Sequence, residues 1–136
     1  MPVTISTRLP DAMAQQLRDQ ATLEQRTVSD IAARAIDEYL RAERFPGILF
    51  VTGASGRRKT KIANGLDVWE YVLAARGYDW DGEKTATQLG QPRARVELAL
   101  AYYRAYPAEI DARLRRMEEV EADPQRFLPG AVVLKV

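Results

Sequence analysis

Residues 3–9, Val-Thr-Ile-Ser-Thr-Arg-Leu, alternate with period two, and no second strand pattern follows them before Ile48. Two helical patterns come next, and Phe45-Pro46-Gly47 closes the segment. A lone strand leaves its backbone donors and acceptors without a ladder. A strand–helix–helix unit of only about 45 residues also buries too little surface to stand by itself. The remedy needing fewest parts is a second copy, with the two strands paired antiparallel about a two-fold axis. A homodimer, or a higher assembly built on it, is the first expectation.

In that strand Val3, Ile5, Thr7 and Leu9 share one face, and Thr4, Ser6 and Arg8 share the other. Pro10-Asp11 closes it and opens a helix, where Met13, Leu17 and Ala21 recur every four residues. Gln25-Arg26-Thr27-Val28 breaks the pattern. Thr27 or Ser29 can cap a second helix, with Asp30 in its first turn. Ile31, Ala32, Ala35, Ile36, Tyr39 and Leu40 give that helix a broad apolar face.

Past residue 45 the pattern changes. Ile48–Val51 reads as a strand, Gly53–Gly56 as a turn and Arg57–Ile62 as a returning strand. Asp67 can cap a helix that carries Val68, Trp69, Val72 and Leu73 and ends near Gly77. A short helix over 83–89, a turn at Gly90-Gln91 and a longer helix starting at Pro92 give a helix-turn-helix outline. Val96, Ala99, Leu100 and Tyr103 line one face of that longer helix. A last helix runs from Ala108 to about Ala122, followed by an apolar, β-prone tail. The expected class is α+β: mainly α with short strands, an intertwined dimer unit over 1–44 and a small helical domain with a leading hairpin over 45–112. Residues 113–136, the helix end and tail, form a third segment.

Composition narrows the chemistry. The chain has no Cys and no His, which excludes disulfides, zinc sites built on thiolate or imidazole, and triads with a His base. No apolar run reaches the roughly 18 residues that a membrane span needs, and no signal-peptide core opens the chain; the expectation is a cytoplasmic protein without membrane contact. The net charge is +1, yet residues 45–66 carry four cations (Arg57, Arg58, Lys59, Lys61) and no acid. That island reads either as a phosphate-tracking wing or as a solvated hairpin arm. Arg93 and Arg95, at the start of the longer helix, are open to the same two readings. Tyr102, Tyr103 and Tyr106 could stack on bases, although their spacing suits core packing. The acids of 109–123 alternate with Arg113, Arg115 and Arg116, so i,i+4 pairing on a solvated face accounts for both.

Val3 to Asp11 followed by Thr27-Val-Ser-Asp-Ile-Ala-Ala-Arg-Ala-Ile-Asp-Glu-Tyr-Leu40 resembles the ribbon-helix-helix family of prokaryotic DNA-binding proteins, over about a third of the chain. The resemblance implies a two-stranded ribbon in the major groove of operator DNA. It places Thr4, Ser6 and Arg8 on base edges, and the amides of Val28 and Ser29 on a phosphate. Gln25-Arg26 stands where many members have glycine.

Phe45 to Gly53, Gly65-Leu-Asp-Val-Trp-Glu-Tyr-Val72 and Leu98 to Asp111 resemble the domain-of-unknown-function family numbered 433. That resemblance implies a helix-turn-helix-like antitoxin domain paired with a PIN-like ribonuclease toxin. The tail residues Phe127, Leu128, Val132, Val133 and Leu134 are then candidate anchors on the toxin. Self-docking on the second domain is their other reading.

Together the two resemblances imply an antitoxin that represses its own operon, with no catalysis and no cofactor. A stand-alone repressor whose second domain senses a ligand or extends the DNA contact is the alternative. Ile48 to Gly56 also imitates a dinucleotide-binding opening, but Arg57-Arg58-Lys59 stand where a further glycine must meet the pyrophosphate.

Overall fold

The computed structural model describes residues 2–123. Six helices and one two-stranded antiparallel sheet make up those residues, an α+β composition dominated by helix. The chain divides between Arg44 and Phe45 into two compact units.

The first unit contains α1 (Asp11–Glu24) and α2 (Val28–Arg44). Pro10 precedes α1, and Asp11 complements its positive end. The helix stops at Gln25, which adopts φ 55°, ψ 42°, the left-handed conformation that glycine usually supplies. Gln25 N donates to Thr22 O and Arg26 N to Ala21 O at 3.1 and 2.9 Å, so the last carbonyls are satisfied without a glycine. Of the two capping candidates Thr27 acts: its Oγ1 accepts from Asp30 N at 3.1 Å.

One ion pair ties the two helices. Arg34 donates through Nη1 and Nη2 to both oxygens of Glu24, at 2.7 and 2.9 Å. These bonds, with a third from Gln20, hold the Glu24 carboxyl at about 2, below its ordinary 4.5. A carboxyl depressed by folding stabilises fully above its ordinary value and loses that contribution as pH falls from 4.5 through about 2.

The first unit buries very little. Among residues 2–44 only Ala21 and Ile31 are buried. Residues 3–9 form no strand in the single chain, contrary to the alternation, and Val3 and Ile5 are 82% and 89% exposed. The physical reason is the one that makes the segment unusual: the first unit holds no other strand to complete a ladder.

The second unit opens with the hairpin β1 (Ile48–Thr52) and β2 (Arg58–Ile62), which pairs Ile48 with Ile62 and Thr52 with Arg58. Arg57 lies in the turn, one residue before the returning strand. The helices α3 (Val68–Gly77), α4 (Gly82–Leu89), α5 (Arg93–Ala105) and α6 (Pro107–Ala122) follow. Their starts are locally encoded. Asp67 N donates to the Glu70 carboxylate at 2.9 Å ahead of α3. The Asp81 side chain accepts from Lys84 N at 3.0 Å ahead of α4, and Pro107 occupies the first turn of α6. Gly90, at φ 63°, ends α4 and turns the chain into α5. Pro92 sits one residue before that helix rather than inside it.

Ile48 and Ile62 of the hairpin, Val68, Tyr71 and Val72 of α3, Val96, Leu100 and Tyr102 of α5, and Ile110 and Leu114 of α6 form one buried cluster. Two aromatic positions differ from the periodicity. Tyr102 is fully buried, with edge contacts to Phe45 and Phe50, while Tyr103 lies at the margin and stacks on Trp80 at 5.9 Å. Leu73, on the expected core face of α3, is 47% exposed.

Candidate nucleic-acid interface

Two arrangements carry exposed polar chemistry, one in each unit. In the first, Thr4, Ser6 and Arg8 are all exposed on the segment before α1. Val28 and Ser29 supply the first amides of α2, which no preceding helical turn satisfies. None of the hydrogen bonds among the described residues uses those two amides. Asp30 in the same turn already complements the positive helix end. Beside this polar set the unit exposes apolar side chains: Ile36, Tyr39 and Leu40 of α2 are 61%, 64% and 59% exposed, and Leu23 of α1 77%. Scattered apolar residues on a surface are ordinary, but a unit with two buried side chains and this much exposed apolar surface has an unfinished core.

In the second unit the basic island is divided by the pleat. Thr60 and Ile62 point into the fold and are buried, whereas Lys59 and Lys61 alternate with them. Lys59 Nζ pairs with Asp67 Oδ2 at 2.9 Å, and Lys61 bridges Asp67 through the backbone. Arg58 donates to Thr52 Oγ1 at 3.1 Å across the hairpin.

The island does not stand alone. Helix α6 brings Arg113 and Arg116 against it. A cleft of about 550 Å³ is lined by Ser55 and Arg57 of the turn and by Arg113, Arg116, Met117, Val120 and Glu121 of α6. A narrower cavity of about 50 Å³ shares Arg113 and Arg116 and adds Arg58, Lys59 and Thr60. The Arg113 guanidinium lies 5.3 Å from the centre of the Trp69 ring, a cation–π contact. Burial, then the nearby charges of Arg57 and Arg113, lower the Arg116 guanidinium from its usual value. It stays charged, but it is charged at a cost.

Sequence reasoning gave Arg113 and Arg116 to a solvated face; Arg113 is indeed exposed, while Arg116 is half-buried at the edge of the core stripe. The side of the helix they occupy was legible: Arg113, Arg116 and Val120 flank Ile110 and Met117, next to the core stripe, whereas Arg115 projects to the opposite side. The remaining candidates are distributed differently. Lys61 lines neither space. Arg93 pairs with Glu97 at 3.4 Å and Arg95 donates to Gln91 at 3.2 Å, so both first-turn arginines of α5 have partners within the chain. Tyr102 belongs to the core and is not a stacking platform. Phe127, Leu128, Val132, Val133 and Leu134 lie outside the described residues. Among the described residues no three Asp or Glu side chains gather as a metal site, and no helix is long and apolar enough to cross a membrane.

A scan against protein-family models and searches of curated proteins and of solved structures find no match to this chain. Its functional reading rests on the residues and their geometry.

Proposed function

We propose that the protein is a dimeric, DNA-binding antitoxin that occupies its own operator and neutralises a PIN-like ribonuclease. Residues 3–9 of two copies pair as a ribbon. Val3, Ile5 and Leu9 then close over the apolar surfaces of the helices, and Thr4, Ser6 and Arg8 face the major groove. The amides of Val28 and Ser29 hold a backbone phosphate at each flank. The observation that carries this reading is the exposed period-two segment on a unit that buries only Ala21 and Ile31. A second copy satisfies the strand's backbone and the apolar surface in one step. Arg8, with its planar fork, suits bidentate bonding to guanine.

The second unit and the tail beyond it take the toxin. The test expresses the whole chain, and a form ending at Asp123, beside the product of the adjacent reading frame. Ending at Asp123 keeps the whole of α6, including the buried Leu114. The whole chain is expected to restore growth against a ribonuclease neighbour, and the shortened form to lose that rescue while still binding DNA. Equal rescue by both forms would remove the tail from the account. No toxicity from the neighbour would remove the antitoxin role.

A further inference from the structure

One face of the second unit lacks a cover among the described residues. On α3 the side chains of Val68, Tyr71 and Val72 are fully buried, yet Leu73 beside them is 47% exposed. An open groove of about 520 Å³ lies there, lined chiefly by Trp69, Leu73 and Ala74 of α3, by Tyr78 and by Leu89 of α4. Its only charged residue is Glu70. Small-molecule sites fix their ligand with a few convergent polar groups. Here the Glu70 carboxylate already accepts from Asp67 N at 2.9 Å, and the Trp69 indole donates to Asp67 Oδ2 at 3.3 Å. An apolar stretch of polypeptide suits this groove better than a small polar ligand.

The chain itself supplies such a stretch. Residues 124–136 lie outside the described residues, and their sequence holds Phe127, Leu128, Val132, Val133 and Leu134. They follow α6, which passes close by: the Arg113 guanidinium lies 5.3 Å from the centre of the Trp69 ring, and Trp69 lines the groove. From Arg113 the helix runs on to Ala122, a further distance of about 14 Å at roughly 1.5 Å per residue. Six extended residues span up to about 20 Å, so 124–129 can return that distance and bring Val132, Val133 and Leu134 to Leu73. Charge selects this seat over the nearer one. The cleft at the end of α6 has three arginines and one acid, Glu121, in its lining, whereas the segment carries Arg126 and Lys135 and no acid. The single charge at the α3 groove is a carboxylate. We propose that, in the free protein, Val132, Val133 and Leu134 of the chain's own tail close the groove over Leu73 and Leu89. The proposal does not rest on the antitoxin reading, and a toxin that takes the tail must first draw it from this seat.

The test is a double-mutant comparison in the full-length protein. Leu73→Asp is set beside a tail variant carrying Val132→Ser, Val133→Ser and Leu134→Ser, singly and combined. Side chains in contact are non-additive. Each variant is expected to lower the melting temperature of the second unit by several degrees, and the combination to lower it no further than the larger single effect. Both are also expected to move Trp69 emission to longer wavelength in a Trp80→Phe background, where Trp69 is the one indole left. A carboxylate on an uncovered helix face costs little, so a loss with Leu73→Asp that needs the intact tail is the signature of a cover. The uncharged Leu73→Ser is expected to give the same coupling at smaller amplitude. Falls that add, or a Leu73→Asp chain as stable as the parent, would overturn the proposal. So would a coupling that vanishes on dilution, which would give the groove to a second copy's tail. If the variants are uncoupled and Leu73→Asp alone abolishes rescue from the neighbouring ribonuclease, the groove belongs to the toxin and docking within the chain fails. No rescue by the parent, with the coupling intact, supports the docking and counts against the antitoxin reading alone.

Discussion

With Ile5 replaced by Asp, the protein is expected to sediment as a monomer at concentrations where the parent sediments as a dimer. Ile5 is 89% exposed in the single chain, and in the proposed ribbon it is covered by the second copy. Burying an isoleucine contributes about 1.5–3 kcal/mol, and the two-fold axis counts it twice. A carboxylate in that seam adds a desolvation cost. A total of at least about 4 kcal/mol is a loss of some three decades in dimer affinity. Ser6→Asp is the matched control, because Ser6 lies on the opposite face of the same segment. It is expected to leave the dimer intact and to repel DNA. If Ile5→Asp sediments like the parent, residues 3–9 do not form the dimer seam; if Ser6→Asp dissociates instead, the segment has its faces reversed.

Leu100→Ala is the substitution expected to cost most in the second unit. The side chain is 1% exposed and sits on α5 in the shared cluster. Cutting a buried leucine to alanine removes transfer energy and leaves a cavity, together about 2–5 kcal/mol. For a domain of this size each kcal/mol moves the melting temperature by about 4–8 °C, so a fall of roughly 8–40 °C follows. The chain divides between Arg44 and Phe45, so calorimetry should show the fall in one transition only. Residues 2–44 should keep their helical signal. A single transition that moves as a whole would show that the two units fold together.

The elements that sequence pattern located well are those with local chemistry at their ends. Thr27 and Asp67 mark helix starts, Gly90 marks a helix end, and Gly53 to Gly56 joins two short apolar-to-basic strands. Each is decided within a few residues, so periodicity and capping suffice. What escaped is what long-range packing decides. Tyr102 and Tyr103 are adjacent on a helix covered from two sides, and only the positions of Phe45 and Phe50 put Tyr102 inside. Leu73 fits the apolar stripe of α3 but lies beyond its cover. Gln25 shows the converse: the left-handed turn forms without the glycine that would have announced it.

The candidate sites divide along the same line. The alternation of residues 3–9 is visible in the sequence, and so is the need for a partner, because both follow from counting backbone groups and apolar side chains. The cleft of the second unit was not visible. Its basic half lies at 57–61 and the other half more than fifty residues later, on a helix whose alternating charges gave no sign that Arg113 and Arg116 lie against the hairpin. Thr60 carried no signal at all, since an unpaired hydroxyl exists only once the fold has closed around it.

The most direct test of the central claim is a fluorescence-anisotropy titration of the protein and its Arg8→Ala variant against the DNA upstream of its own reading frame and against random sequence, over a salt series. The account predicts tight binding to the upstream DNA that weakens steeply with salt, as counterion release requires. It also predicts that the variant loses discrimination by about 5- to 150-fold, the worth of a bidentate arginine–guanine contact of roughly 1–3 kcal/mol. If neither protein prefers the upstream DNA over random sequence, with or without the neighbouring gene product present, residues 3–9 are not a reader of DNA and the proposed function fails.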